Sequence, residues 1–228
     1  MKSETDSSVR IGVVGAGSWG TAIANLLANK GFRVDFWVYE KEVKDQIEEL
    51  RENRIFLPGI SLSSNISPSN DIANAVSNKD LVVLVVPSHV MRETAKKMSG
   101  LISANTAVVS ASKGIENNTY LTMTGVLAES IPDIPENNFA ALSGPSFAGE
   151  VARNVPTAVT VASKNNEIAA YIQRVFATPF FRVYTNDDVT GVELGGAVKN
   201  VIAIAAGVID GLGLGLNTRA ALITRGLT

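Results

Sequence analysis

The segment from residue 10 to residue 20 constrains the fold of this chain more than any other. A short apolar run ends in Gly15, Gly17 and Gly20, which have the spacing G-x-G-x-x-G. In a strand–turn–helix unit, Gly15 permits the tight turn, Gly17 lets a pyrophosphate approach the backbone, and Gly20 lets the helix pack close to the strand. The N-terminus of the following helix presents free N–H groups to phosphates. The motif therefore predicts a dinucleotide-binding site.

Two neighbouring features favour this interpretation over a merely structural turn. The residues after the first glycines carry apolar side chains at helical spacing, namely Trp19, Ala22, Ile23, Leu26 and Leu27. Glu40 ends the next strand-like run, twenty residues after Gly20. An acidic residue at this distance is typical of a site that binds the ribose of the cofactor.

Strand-like runs alternate with helical patterns along most of the chain. Predicted strands cover residues 10–14, 33–39, 80–86, 107–110, 139–142, 157–162 and 181–184, and predicted helices cover residues 18–30, 41–54, 71–76, 88–101, 119–130 and 166–176. The run at 80–86 is almost entirely β-branched and aliphatic, as in a parallel strand covered on both faces. This alternation predicts a doubly wound α/β fold of the Rossmann type, in which ligands bind beyond the carboxyl ends of the strands.

The pattern changes after residue 186. A long helix is predicted over residues 189–208 and another over residues 218–228, in a segment rich in Ala, Gly, Val and Ile. We therefore predict a dinucleotide-binding domain at residues 1–188 and the first part of an all-helical substrate domain at residues 189–228. Since 40 residues bury little core and the last helix has no cap signal, we expect a truncated chain or a partner chain that completes the domain.

Composition excludes several classes of function. The chain has 228 residues, a formal net charge of −2, no cysteine and a single histidine, His89. This composition excludes disulfides, thiol nucleophiles, cysteine ligands and multi-histidine metal sites, so no metal is predicted. No basic field favours nucleic acid or an anionic membrane. Residues 1–8 form a polar tail without the apolar region of a signal peptide, and residues 201–216 are broken by Asp210 and glycines, so we predict a cytoplasmic protein without membrane insertion.

Lys199 is the strongest candidate for a catalytic group. It interrupts an apolar helical segment and shares a helix face with Val192, Gly196, Ala203 and Ala206, which are small. Small neighbours leave space for a reacting molecule and favour desolvation of the ammonium group, which lowers a lysine pKa and suits a proton donor. The alternative is a lysine that snorkels at a domain surface. We favour the first interpretation because two glycines one turn earlier cost helix stability without a structural gain.

Two turns that follow predicted strands carry further candidates. Lys113 lies in a Ser-Lys-Gly turn, where it would hold an anionic or carbonyl substrate or would simply be a solvated turn lysine. The small residues at 143–148 offer backbone N–H groups to a ligand, but they are equally compatible with a turn that binds nothing. The residues alone leave both alternatives open.

Taken together, these motifs resemble the bacterial NAD(P)-dependent glycerol-3-phosphate dehydrogenases. The resemblance rests on Gly-Ala-Gly-Ser-Trp-Gly-Thr-Ala at 15–22, Pro-Ser-His at 87–89, Ser-Lys-Gly at 112–114, Ser-Gly-Pro-Ser-Phe-Ala at 143–148 and Gly-Gly-Ala-Val-Lys-Asn at 195–200. It implies interconversion of dihydroxyacetone phosphate and sn-glycerol 3-phosphate with NAD or NADP as cofactor. It also implies a phosphorylated triose as partner, a supply of precursor for glycerophospholipid synthesis, and a homodimer.

The resemblance also assigns roles to residues. Lys199 is implied as the catalytic proton donor and acceptor, and Lys113, Gly144 and Ser146 are implied to contact substrate. Contacts with the cofactor are implied for Ser18, Trp19, Lys113 and Ala148, with Tyr39 near the adenosine, and the glycine motif with Glu40 completes the predicted cofactor-binding set. The family has a later Ser-Arg-Asn element that helps bind the substrate phosphate, and it would lie beyond Thr228.

Two points stay open from sequence. Glu40 favours NAD because it binds a ribose hydroxyl and repels a 2′-phosphate, whereas the resemblance favours NADP or both, and we predict use of both. The alternative functions are a dinucleotide sensor without catalysis, or another β-hydroxyacid dehydrogenase of the 6-phosphogluconate or ketopantoate reductase type.

Overall fold

The run Leu81–Leu84 forms a central strand of an eight-stranded sheet. The computed structural model describes residues 8–226, so the polar tail predicted at residues 1–8 lies almost entirely outside the described residues. The strands are β1 (Ile11–Val14), β2 (Val34–Trp37), β3 (Ile66–Ser69), β4 (Leu81–Leu84), β5 (Ala107–Ser110), β6 (Phe139–Ser143), β7 (Thr157–Ala162) and β8 (Phe181–Asn186).

The strand order is β3-β2-β1-β4-β5-β6-β7-β8. Strands β1 to β6 are parallel, in the arrangement of a doubly wound dinucleotide-binding fold. Strand β7 runs antiparallel to β6, and β8 is parallel to β7. The predicted fold class is therefore confirmed, with an antiparallel junction that the sequence pattern did not indicate.

Strand β3 was absent from the prediction. Its four residues include Pro68, which has no backbone N–H to donate. Proline is tolerated in a sheet at an edge, and β3 is an edge strand paired only with β2. The proline and polar residues of β3 are not typical of a strand, and its position at the edge of the sheet explains why they are tolerated.

Nine α-helices lie within residues 8–226. They are α1 (Ser18–Asn29), α2 (Lys41–Leu50), α3 (Ile72–Val76), α4 (Met91–Met98), α5 (Met123–Ser130), α6 (Ala148–Ala152), α7 (Asn166–Phe176), α8 (Val189–Gly211) and α9 (Gly215–Gly226). Helix α2 is shorter than predicted because Arg51 adopts a left-handed conformation, with φ of 52°. The helix predicted over residues 88–101 is shorter, since Ser88–Val90 form a separate 3-10 turn before α4. The short helix α6 was not predicted.

Strand β4 supplies residues to two cores. Leu81 and Val83 belong to the core under α1, α2, α6 and α7, whereas Val82 and Leu84 belong to the core under α3, α4 and α5. Because successive side chains of a strand point to opposite faces, both faces of β4 are covered. This arrangement leaves the carboxyl ends of the strands as the open edge of the sheet.

Helix α8 begins directly after β8, at the position where the sequence pattern changes. It packs on β6 and β7, and α9 folds back on it. By length and composition alone α8 is apolar enough to cross a membrane, with a mean hydropathy of 1.6 over its most apolar window. One such helix is weak evidence for a membrane span, so the predicted absence of membrane insertion stays a prediction. The last two residues of the final predicted helix lie outside the described range.

Candidate active site

The turn between β1 and α1 has the geometry that the glycine motif requires. Gly15 has φ of 111°, a conformation that favours glycine. A Cβ atom on Gly20 would lie 1.9 Å from the carbonyl oxygen of Gly15, so the close approach of helix and turn requires glycine. A Cβ atom on Gly17, by contrast, would meet nothing within 4 Å. Gly17 therefore faces open space at the N-terminus of α1, where a phosphate would bind.

The open space belongs to a cleft of about 700 Å³ at the carboxyl edge of the sheet. The predicted cofactor residues among its lining are Gly17, Ser18, Trp19, Gly20, Lys113 and Ala148, and the predicted substrate residue Ser146 lines it as well. The structure thus brings residues from three distant segments of the chain to one cleft.

Tyr39 and Glu40 lie beside this cleft rather than in its lining. They follow β2, whose Trp37 carbonyl oxygen accepts a hydrogen bond of 3.1 Å from the Gly15 N–H. Tyr39 is exposed and contacts the ring of Trp37 edge-on, with a centroid distance of 6.1 Å. Glu40 is the N-cap residue of α2 and its carboxylate is exposed. Both residues are therefore available at the end of the strand next to β1.

Lys113 and Ser146 both bind the backbone carbonyl group of Gly144. The Nζ atom of Lys113 donates a hydrogen bond of 3.0 Å to the carbonyl oxygen of Gly144, and the Oγ atom of Ser146 donates one of 3.2 Å to the same oxygen. Burial lowers the pKa of Lys113 below its usual range, and the positive charge of Lys199 lowers it further. The two lysines therefore lie within electrostatic reach of each other.

Helix α8 approaches this cluster through a glycine. A Cβ atom on Gly196 would lie 2.4 Å from the Oγ atom of Ser143 and 3.7 Å from the Cγ atom of Lys113. Lys199, less than one turn later, lines a second cavity of about 350 Å³ together with Ser143 and Gly144. The loop after β6 therefore separates the dinucleotide cleft from the cavity of Lys199.

One expectation about Lys199 is wrong. The sequence predicted that its small neighbours would favour desolvation, but Lys199 is exposed in this structure. The lysine that burial does perturb is Lys113, which the residues alone left undecided. Small neighbours provide access to a side chain, whereas desolvation requires groups that cover it.

Sequence reasoning missed one wall of the cleft. Phe56, Leu57 and Pro58 also line it, although the sequence patterns assigned them no part in the site. Asn53 holds the segment in place, because its buried Nδ2 atom donates hydrogen bonds to the Ala16 carbonyl oxygen and to the Thr21 Oγ atom. No local motif signals this docking, which depends on a contact between segments 37 residues apart.

The sequence also gave no sign of the ion pair that holds the segment after Lys113. Arg92 forms a bidentate ion pair with Glu116, at 2.9 and 2.8 Å, and also contacts Glu129. Arg92 holds the pKa of Glu116 down to about 2, and a hydrogen bond from Thr119 contributes to the shift. The ion pair joins α4 to the segment that follows Lys113.

Comparison with known proteins identifies the family. The sequence model described as the NAD-dependent glycerol-3-phosphate dehydrogenase N-terminus matches residues 10–169, and the corresponding C-terminus model matches residues 188–228. The chain belongs to the NAD-dependent glycerol-3-phosphate dehydrogenase family. The resemblance inferred from the sequence motifs is therefore confirmed, and membership of this family does not favour the sensor or the other dehydrogenase types.

Curated relatives and solved structures agree with the family assignment. The chain is 55% identical over 220 residues to a glycerol-3-phosphate dehydrogenase [NAD(P)+] of Geobacter sulfurreducens, covering 96% of this chain and 66% of the relative. It resembles the crystal structure of glycerol-3-phosphate dehydrogenase from Coxiella burnetii, with a TM-score of 0.88 and 41% identity, over 97% of this chain and 67% of the other. The chain thus spans about two thirds of the length of the curated relatives that it matches.

Proposed function

We propose that this protein interconverts dihydroxyacetone phosphate and sn-glycerol 3-phosphate by hydride transfer with NAD(P)H. The observation that carries the proposal is the placement of Lys113 and Lys199 on opposite sides of the loop after β6, next to a cleft built on the glycine turn. Membership of the glycerol-3-phosphate dehydrogenase family supports the same reaction.

The cleft fits a dinucleotide. Gly17 leaves the N-terminus of α1 uncovered, and no side chain caps that helix, so its N–H groups are available to a pyrophosphate. Ser18, Trp19 and Ala148 would hold the cofactor along the cleft, with Tyr39 and Glu40 near the adenosine end. The bound cofactor supplies the hydride and the site for its transfer to the ketone carbon.

Lys199 is the proposed proton donor. Reduction of the ketone carbon leaves an alkoxide that needs a proton, and the ammonium group of Lys199 reaches the cavity beside Gly144. Lys113 adds positive charge near the developing oxyanion or the substrate phosphate. Gly144 and Ser146 would contact the substrate at the loop between the two cavities.

Further proposals concern cofactor choice and context. We propose that both NAD and NADP are used, because Glu40 favours a free ribose hydroxyl while the exposed Lys41, which pairs with Asp45 in this structure, would turn to a 2′-phosphate when NADP binds. The product would supply glycerophospholipid synthesis in the cytoplasm, and the enzyme would be a homodimer that binds neither nucleic acid nor membrane. We also propose the domain boundary at residues 188 and 189, where β8 gives way to α8.

The proposal is tested on the complete gene product. Oxidation of NADPH and NADH is followed by absorbance after dihydroxyacetone phosphate is added, with a panel of other ketone and keto-acid substrates as controls. Rapid oxidation that requires dihydroxyacetone phosphate supports the proposal. If the cofactor binds but dihydroxyacetone phosphate does not oxidise it, the proposal is contradicted. If a different ketone oxidises it instead, the protein is another type of dehydrogenase.

The role of Lys199 is tested by substitution. Lys199→Ala should lower kcat by about a hundredfold or more, as expected for loss of a general acid, while binding of the cofactor is retained. Lys164→Ala, which removes a surface lysine paired with Glu136, is the control and should leave kcat unchanged. An unchanged rate in Lys199→Ala would make the assignment of the proton donor wrong.

A further inference from the structure

Glu193 is a buried acidic residue for which the proposed reaction has no use. Its side chain lies on α8 and only 7% of the residue is exposed. One carboxylate oxygen accepts a hydrogen bond of 2.9 Å from the backbone N–H of Thr124, and the other accepts from the Oγ atom of the same threonine. Both oxygens therefore bind the first turn of α5.

This contact replaces a missing helix cap. The first N–H groups of a helix have no partner within the helix, and the N-cap residue of α5, Thr122, makes no side-chain capping bond. Glu193 supplies the acceptor from a different helix, 69 residues away in sequence. A carboxylate is favoured at this end because the helix dipole places partial positive charge there.

The two helices that Glu193 joins each lead to one of the active-site lysines. On one side, Ile115 forms a β-bridge with Thr122, which connects the Lys113 loop to the start of α5. On the other side, Lys199 follows Glu193 by six residues on α8, about 9 Å along the helix axis. The hydrogen bonds between Glu193 and Thr124 therefore connect the two lysines through short, ordered segments.

Stability alone is a weak reason to bury a carboxylate here. Moving a charge out of water costs free energy, and an uncharged acceptor would satisfy the same N–H group. The Glu193 side chain makes two hydrogen bonds with Thr124, one with its N–H and one with its hydroxyl group, and together they fix both the position and the rotation of α8 relative to α5. Rotation of α8 about its axis would move Lys199 away from Gly144.

We propose that Glu193 is a positioning residue that sets the placement of Lys199 relative to Lys113 by capping α5 from α8. The inference rests on the proposed function, because it assigns Glu193 to the same pair of lysines. No residue of α5 or α8 lines the cleft at the glycine turn, so the affinity for the dinucleotide should change little when this contact is lost.

The test compares variants of the complete gene product. Glu193→Ala removes the cap, and Thr124→Val removes only the Oγ partner. Glu193→Gln keeps an acceptor for the Thr124 N–H and places an NH2 donor at the Thr124 hydroxyl oxygen, which can accept. Glu167→Ala, in the exposed first turn of α7, is the matched control. We measure kcat per bound cofactor, the Kd of NADPH by fluorescence, and the solvent deuterium isotope effect on kcat with dihydroxyacetone phosphate.

The expected pattern separates positioning from folding. Glu193→Ala should lower kcat about tenfold to a hundredfold, the range for a misplaced reacting group, and raise the solvent isotope effect because proton transfer becomes slower. The Kd of NADPH should change less than about twofold, and Glu193→Gln should recover most of the rate. Loss of folded protein alone would lower the amount of bound cofactor but leave the isotope effect unchanged.

Three results would overturn the inference. They are an unchanged kcat per bound cofactor in Glu193→Ala, a lower kcat with an unchanged isotope effect, or a Glu193→Gln variant as slow as Glu193→Ala. If Glu193→Ala does not fold, Thr124→Val decides the question by the same two readouts. A wild-type enzyme that does not reduce dihydroxyacetone phosphate would contradict the proposed function instead, before any variant is compared.

Discussion

Gly196 packs against Ser143 so closely that a Cβ atom at residue 196 would lie 2.4 Å from the Oγ atom of the serine. This contact brings α8 against the end of β6. The adjacent Gly195 has no neighbour within 4 Å of the corresponding position. Of the two adjacent glycines, therefore, only Gly196 is needed for the close approach of α8 to the end of β6.

The pair supplies a matched test. Gly195→Ala should raise the free energy of unfolding by about 0.5–1 kcal/mol, because alanine loses less conformational freedom in a helix. Gly196→Ala should show no such gain and should lower kcat, because Ser143 has to rotate or α8 has to move. In the double variant with Ser143→Ala the nearest remaining atom is the Cβ atom at 3.5 Å, so stability should recover. Thermal unfolding and kcat of the four proteins check this, and equal effects at both glycines would contradict it.

The glycine turn gives a second contrast. Gly17→Ala should fold with a loss below about 1 kcal/mol, because its φ of −62° suits alanine and its Cβ atom meets nothing. It should weaken NADPH binding by tenfold or more, about 1.4 kcal/mol, since the methyl group occupies space for the pyrophosphate. Gly20→Ala should instead lose about 1–3 kcal/mol of stability from overpacking against the Gly15 carbonyl group. Chemical unfolding and fluorescence titration distinguish the two outcomes.

The buried charge of Lys113 should lower the free energy of unfolding of the protein. Its pKa is lowered by burial, so the unfolded chain holds the proton more tightly than the folded one and the charged lysine destabilises the fold below its folded pKa. Lys113→Met should therefore be at least as stable as wild type at neutral pH, while Ser146 still donates to Gly144. The advantage should shrink as pH rises and vanish above the usual lysine pKa of 10.5. A variant that is less stable at neutral pH would contradict this, and activity should fall in either case.

The ion pair between Arg92 and Glu116 should make the Lys113 loop sensitive to acid. Arg92 lowers the pKa of Glu116 to about 2 from a usual value of 4.5, so the folded state binds fewer protons than the unfolded chain between these values. The stabilisation is complete above about pH 4.5 and is lost as the pH falls through about 2. The difference in free energy of unfolding between wild type and Glu116→Gln should follow this course in urea titrations. Glu136→Gln, in an exposed pair with Lys164, should show a much smaller dependence.

Local patterns were sufficient for much of the fold. The bounds predicted for β5, β7 and α7 match the structure, because each is a continuous run with one periodicity and clear flanking residues. Strand β3 was not predicted because proline and serine are not typical of strands, and it is defined by its pairing with β2. Helix α2 ends early because Arg51 adopts a left-handed conformation, beyond which Asn53 is buried and bonded to Ala16 rather than continuing the helix.

By itself the sequence determined the Rossmann-type sheet, the glycine turn and the family, because those features depend on residues close together in the chain. Only the tertiary structure decided that burial lowers the pKa of Lys113, that residues 56–58 line the cleft, and that Glu193 caps α5. Desolvation and hydrogen bonding depend on what surrounds a side chain. Those surroundings come from segments distant in sequence, which no periodicity or motif brings together.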